Sequence, residues 1–437
     1  MQEQVCTGAS HMKAYNIYVD CTETVMYRSN SGIKRTVRKL TDVSRLEYEE
    51  FTVNIKPIVI LYGKIYSYNK DKISKFSNIY YNLTELSIKL RKHLTNDVAS
   101  SEIKPDKQQK NLCNKLGLVE KILYFIYTLF SKLDGVVRKI EVNEKSILLY
   151  ADSFWSGWVS DSTGIVSGKK YLVLYDVIPI EHPNFYSADF SEKFINSLDT
   201  MLTVVDGVIT ISKSERENIK SVCREHIIKR NLPIKYNHLG ADFTSLVTNY
   251  NNVRANIIKA MAQRNVLLMV GAIEPRKNYD YAIDVFEILW NAGADVRLVI
   301  IGNQGWKCRD TVQRIRNHPQ YGMNLLHFEN ANDDELSYCY QHSRALVFAS
   351  IAEGFGLPLV EAMGYGKEVL ASDIPIFREI GGDYPRYFPL GNSSAAAKAF
   401  SEFVLSPPRV NIARSWMSWD ESVKGFYRSV VSMATDS

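Results

Sequence analysis

The sequence predicts an α/β protein of two doubly wound domains facing a central cleft. Short apolar runs that end abruptly in polar or glycine residues recur along the chain, each followed by an amphipathic stretch. Strand, turn and helix repeated in this way give a parallel sheet covered on both faces. A polar stretch at 248–256 interrupts the alternation, which restarts beyond it and so forms two series. The bulk numbers agree: 437 residues, 46% hydrophobic and 23% charged, suit a globular chain of two or three domains. A net charge of +5 is mild at this length and does not call for nucleic acid. Six cysteines (Cys6, Cys21, Cys113, Cys223, Cys308, Cys339) are scattered with no C-x-x-C pair, which reads as reduced thiols in a cytoplasmic protein. No apolar run approaches the ~20 residues of a membrane span.

Residues 1–12 are polar and unpatterned and read as a leader outside the fold. The first strand, 15–19, leads through a polar turn to Gly32 and a helix with Ile33, Val37 and Leu40 on one face and Lys34, Arg35, Arg38 and Lys39 around it. A glycine at a basic helix start can cradle phosphate, but a solvated basic helix has the same composition. Residues 53–62 form the next strand. Residues 65–140 then fit a minimal α/β domain poorly and read as a helical insert, polar and lysine-rich before an amphipathic segment at 116–140. That segment suits either packing on its own domain or peripheral contact with anionic lipid at the inner face of the cytoplasmic membrane. Strands follow at 146–151, ending at Asp152, and at 170–174, ending at Tyr175 and Asp176. The next spans 204–211, with Ser214 as the cap of the helix after it. Gly164–Lys170 superficially suggests a Walker loop, but it is one residue short and lacks the final Ser/Thr.

The second series runs strand 266–270, turn 271–278, helix 279–291, strand 296–301 and turn 302–305. It continues with a helix from Arg309, strand 325–328, a helix from Asp333 and strand 345–349. The expected organisation is an N-terminal domain at 13–247, a C-terminal domain at 257–410 and a closing helical segment at 411–437 with its pattern at 415–433.

The chemistry concentrates after strand 345–349. Glu353, Gly354, Phe355 and Gly356 form a turn, and Pro358 opens a helix carrying Glu361 eight residues beyond Glu353. Glycines and a helix N-terminus favour a phosphate, and two carboxylates beside it suit ribose and sugar hydroxyls. An ordinary strand-to-helix connection has the same residues, so both readings stay open at this level. Arg276 and Lys277, in the turn after strand 266–270, are adjacent cations that suit a diphosphate. Asp152, Asp176, Ser212, Gly240 and Asp242 are strand-end or turn residues that either position a sugar hydroxyl or cap a helix.

Taken together, GAIEPRKN at 271–278, EGFGLPLVEAM at 353–363, ASDIPIFREIGGD at 371–383 and SWDESV at 418–423 resemble family 4 of the retaining glycosyltransferases, which have the GT-B fold. GIKRTVRKL, YDVIPIEHP, DGVITISKSE and YNHLGAD resemble the matching N-terminal segments of that family. The resemblance implies two Rossmann-like domains, with the acceptor mainly on the N-terminal side and a nucleotide-sugar on the C-terminal side. By it Glu353 lies against the transferred sugar, Glu361 holds the ribose, Gly354, Phe355, Gly356 and Leu357 offer backbone amides, and Arg276 and Lys277 neutralise the diphosphate. Neither a cofactor nor an obligatory metal is implied. Gly32 and Gly271 belong with the donor site and Asp176 with the catalytic set. Many members carry His-Asp where this chain has Tyr175-Asp176, so Tyr175 is a sugar or acceptor contact only as a substitute. Lys367-Glu368 replace a small residue and proline. The expected activity is transfer of a hexose from GDP-mannose, or second from dTDP-rhamnose, to a lipid-linked or oligosaccharide acceptor in O-antigen-like synthesis. The alternatives are a phosphorylase, an epimerase or an inactive sugar-nucleotide-binding subunit.

Overall fold

The computed structural model describes residues 12–26, 31–61, 64–71, 83, 132, 135–156, 159, 167–225, 232–242, 250–263, 265–407 and 413–436. Two sheets organise them. The first has nine strands: β1 (Lys13–Asp20), β2 (Arg45–Glu47), β3 (Phe51–Leu61), β4 (Lys64–Tyr68), β5 (Val137–Lys139), β6 (Ile147–Tyr150), β7 (Lys169–Leu174), β8 (Gly207–Thr210) and β9 (Ile234–Tyr236). Their order is 5-4-3-1-6-7-8-9, with β2 paired to β3. The stretch from β3 through β1 to β9 is parallel, while β2, β4 and β5 add antiparallel pairings at one side.

The second sheet is parallel throughout: β10 (Val266–Val270), β11 (Arg297–Ile301), β12 (Leu325–Phe328), β13 (Ala345–Phe348), β14 (Glu368–Ser372) and β15 (Arg386–Phe388), in the order 12-11-10-13-14-15. Its central strands are almost wholly apolar and, but for Val270 and Arg297, buried, as strands covered on both faces must be. The helix Tyr279–Asn291 buries Ala282, Ile283, Phe286 and Leu289 against one face. The chain runs outward from β10 in both directions, so the order reverses between β10 and β13. That reversal opens a crevice at the carboxyl ends of those two strands.

The last helix, Trp419–Thr435, starts in a capping box of Ser418 with Glu421 and packs back on the first sheet's lobe. Tyr427 donates to the Leu40 carbonyl at 2.6 Å, and Tyr48 donates to the Lys424 carbonyl at 2.8 Å. A Cβ on Gly240 would lie 2.5 Å from the Ser418 carbonyl oxygen, so this crossing needs glycine.

Several expectations are corrected. The edges of the supposed helical insert are strands β4 and β5, short and lysine-bearing because they sit at the sheet's side. The amphipathic segment 116–140 therefore does not run helical through Val137–Lys139, and most of it lies outside the described residues. The strand expected at 204–211 begins only at Gly207, because the helix Ala188–Val204 runs up to it. Ser214 is not the cap of the following helix: Ser212 accepts from the Glu215 amide at 3.1 Å. The polar stretch 248–256 already contains the start of a helix, Ala255–Met261, whose Ile257, Ala260 and Met261 are buried. Among the described residues no helix is long and apolar enough to cross a membrane.

Candidate functional site

The β10 turn and the β13 turn meet at the reversal. Gly271 has φ +137°, and a Cβ there would press on the Lys277 side chain at 3.3 Å, so glycine lets that lysine pass. The Ile351 amide donates to the Arg276 carbonyl at 2.8 Å and joins the two turns. Across this junction the Glu353 carboxylate accepts from Arg276 Nη1 at 2.5 Å, from Lys277 Nζ at 2.5 Å and from the Ser350 hydroxyl at 2.7 Å. Glu274 takes the Arg276 Nε at 2.9 Å. Burial pushes the Glu353 carboxyl upward, but Arg276 and Lys277 outweigh it and hold it down at about 2. Burial also pulls the Lys277 ammonium down against the attraction of Glu353. Asp176 stands at the end of β7, and burial raises its carboxyl despite Arg276 nearby.

At Gly354 the two lobes touch closely. A Cβ there would lie 2.3 Å from the Tyr175 carbonyl oxygen and 3.2 Å from Cβ of Asp176. Ser212 donates its hydroxyl to the Gly354 carbonyl at 3.0 Å. Gly356, at φ +100°, turns the chain into the helix Leu357–Gly364 with Pro358 in its first turn. Phe355 is buried beside His238 and Trp416, with ring centroids 6.0 and 5.8 Å away, so its side chain serves the lobe contact. Gly32 begins the helix Gly32–Asp42 behind its cap Ser31, and a Cβ on it would reach Leu357 at 3.9 Å.

One turn into those facing helices, Arg35 donates to Glu361 at 2.7 Å, and Tyr340 donates to the other oxygen of Glu361 at 2.8 Å. A solvated basic helix was one sequence reading of this region. Instead Arg35 crosses to the other lobe, and Lys34 is buried. Tyr175 turns inward: its hydroxyl donates to the Ala151 carbonyl at 2.7 Å. Asp152 holds the Thr24 amide at 2.6 Å, and Asp242 accepts from Lys39 and from the Trp419 amide, so both have structural partners.

Sequence reasoning missed a second lobe contact. Glu379, in the helix Pro375–Gly381, accepts from the Lys213 and Ser214 amides at 2.7 Å each and lies 2.7 Å from His238 Nε2. It therefore closes the start of the helix Lys213–Glu225 from the opposite lobe. Glu274 and Arg35 were likewise unforeseen as partners; their only signal was position one turn from a glycine or a cation.

Two lobes, each built on a largely parallel sheet, with a charged crevice at a strand reversal define a protein of the GT-B class. Over 96% of this chain and 100% of the other, the fold matches the crystal structure of Anabaena HepE in complex with UDP and glucose (TM-score 0.60, 11% identity). Sucrose-phosphate synthase from Thermosynechococcus elongatus matches over 97% of this chain and 100% of its own (TM-score 0.56, 12% identity). Residues 254–415 match the model of the family described as glycosyl transferases group 1. A serotype-specific mannosyltransferase, WbdA of Escherichia coli, is 34% identical over 287 residues, covering 63% of this chain and 35% of that protein. The O-antigen chain mannosyltransferase RfbU of Salmonella typhimurium is 25% identical over 213 residues, 48% of this chain and 54% of its own. The chain thus spans about a third of the length of its WbdA relatives.

Proposed function

We propose that the protein is a retaining, nucleotide-sugar-dependent hexosyltransferase acting in bacterial surface polysaccharide synthesis. GDP-mannose, giving mannose, ranks first as the donor and dTDP-rhamnose, giving rhamnose, is the alternative. A glycan or lipid-linked oligosaccharide is the acceptor. The observation that carries this is the convergence of Arg276 and Lys277 on Glu353 at the strand reversal, in the turn that leads into the helix Leu357–Gly364. The mannosyltransferase names of the relatives support the choice of sugar.

Breaking the anomeric C–O bond puts negative charge on the departing diphosphate and oxocarbenium character on the sugar. Arg276, Lys277 and the helix N-terminus stabilise the first, and Glu353 the second. Glu361 would receive the ribose hydroxyls, sharing its oxygens with Arg35 and Tyr340. Both oxygens of Glu353 are engaged by cations and its carboxyl is held at about 2, which makes it a poor nucleophile and a good fixed charge. Retention then follows from attack on the face the leaving group departs from, with the phosphate taking the acceptor proton.

The test is a thermal-shift screen of nucleotide diphosphates and nucleotide-sugars, followed by transfer to a mannan oligosaccharide. Saturating GDP-mannose at about 100 times its Kd raises stability by about 2.7 kcal/mol. A melting curve unmoved by every nucleotide and nucleotide-sugar tested refutes the donor assignment.

A further inference from the structure

We infer that Tyr186 is a further sugar-positioning residue of this site, its phenol hydroxyl donating to a hydroxyl of the transferred hexose while Trp306 and Lys307 of the opposite lobe hold it in place. This rests on the donor reading above. Three successive carbonyls of the segment after Asp176 are gripped from across the cleft. Lys307 Nζ donates to those of Asn184 at 2.8 Å and Tyr186 at 2.7 Å, and Trp306 Nε1 donates to that of Phe185 at 2.9 Å. The Trp306 ring also stacks on Tyr186, centroids 5.4 Å apart and planes 23° from parallel. Lys307 makes this grip at φ +47°, a backbone state that non-glycine residues rarely adopt and that persists where surrounding contacts enforce it.

The grip is continuous with the charged crevice. A Cβ on Gly305, next to Trp306, would lie 2.6 Å from Cγ of Glu274, which binds Arg276, which binds Glu353. The Tyr186 phenol stands in the field of Asp176, Arg276, Glu274 and Glu353; burial first, then Asp176, raises its ionisation above the ordinary tyrosine range. It stays a neutral O–H group that can donate to a ligand hydroxyl, beside carboxylates that only accept. Among the described residues the Tyr186 hydroxyl has no hydrogen-bond partner, whereas the Tyr175 hydroxyl is committed to Ala151.

Tyr186→Phe removes the oxygen alone and keeps the stack. We expect affinity for GDP within twofold of wild type, while kcat/KM for transfer from GDP-mannose falls roughly tenfold, as for one lost hydrogen bond to substrate. Trp306→Ala should show the same split, with GDP binding as the control for folding. Transfer and GDP-mannose affinity unchanged in Tyr186→Phe overturn the inference alone. Equal weakening of GDP and GDP-mannose overturns it too, since the loss then reports structure. Wild-type protein that binds neither compound nor any other nucleotide-sugar overturns the donor reading, and the inference with it.

Discussion

At the scale of single residues, the site turns on one carboxylate shared by two cations. Glu353→Ala leaves Arg276 and Lys277 buried without their shared counter-charge, and Lys277→Ala removes one of the two charges that the proposed mechanism offers to the diphosphate. Each is expected to lower kcat for sugar transfer by at least about a hundredfold, the effect of losing a preorganised electrostatic group. Circular dichroism and a melting curve check that the fold survives. Full activity in either variant would refute the assignment. The pairing of Glu353 with Arg276 and Lys277 was partly legible, because both turns follow apolar strands and strand ends gather at one edge. Arg35 with Glu361 was not, since 326 positions separate them and only the relative placement of two lobes brings them together.

At the scale of elements, glycine decides how the β13 turn meets its neighbour. Gly354→Ala would put a methyl group 2.3 Å from the Tyr175 carbonyl oxygen, a backbone atom with little freedom to move. The expected cost is about 1–3 kcal/mol, seen as a lower melting temperature and as slower transfer. An unchanged melting temperature would mean that the contact is not maintained in solution. Elements with one strong signal were the easiest to read. The expected spans 266–270, 279–291 and 325–328 coincide with β10, Tyr279–Asn291 and β12, since apolar runs there break sharply at glycine or polar residues. Strands β4 and β5 were missed because KIYSY and VRK are short, lysine-bearing side strands whose pairing is antiparallel and non-local. The cap at Ser212 was misplaced by two residues because SKSEREN holds two serines, and only the end of β8 chooses between them.

At the scale of the whole molecule, the lobes are joined by charges as well as by chain. Burial pushes the Glu379 carboxyl up, yet hydrogen bonds from His238, Ser214 and the Lys213 amide outweigh it and hold it at about 2. A depressed carboxylate stabilises the folded state above its ordinary value and loses that contribution as pH falls through the folded one. Wild-type protein should therefore lose melting temperature between pH 4.5 and 2 more steeply than Glu379→Gln, with the variant less stable at neutral pH by about 1 kcal/mol. Parallel acid-melting profiles would refute the link. Two doubly wound domains were legible in the alternation of strands and helices and the GT-B fold in the resemblance to family 4, but the contacts that set one lobe against the other were not.

The returning helix has a consequence for the order in which the protein is made. Tyr427, Met433 and Gly425 pack against Leu40, Gly207 and Asn237, residues translated some two hundred to four hundred positions earlier. During synthesis the first lobe must wait, with that apolar surface uncovered, while the entire second lobe emerges. A ribosome stalled before residue 419 should thus carry a first lobe that proteases cut and chaperones hold, and release of the last helix should seal it.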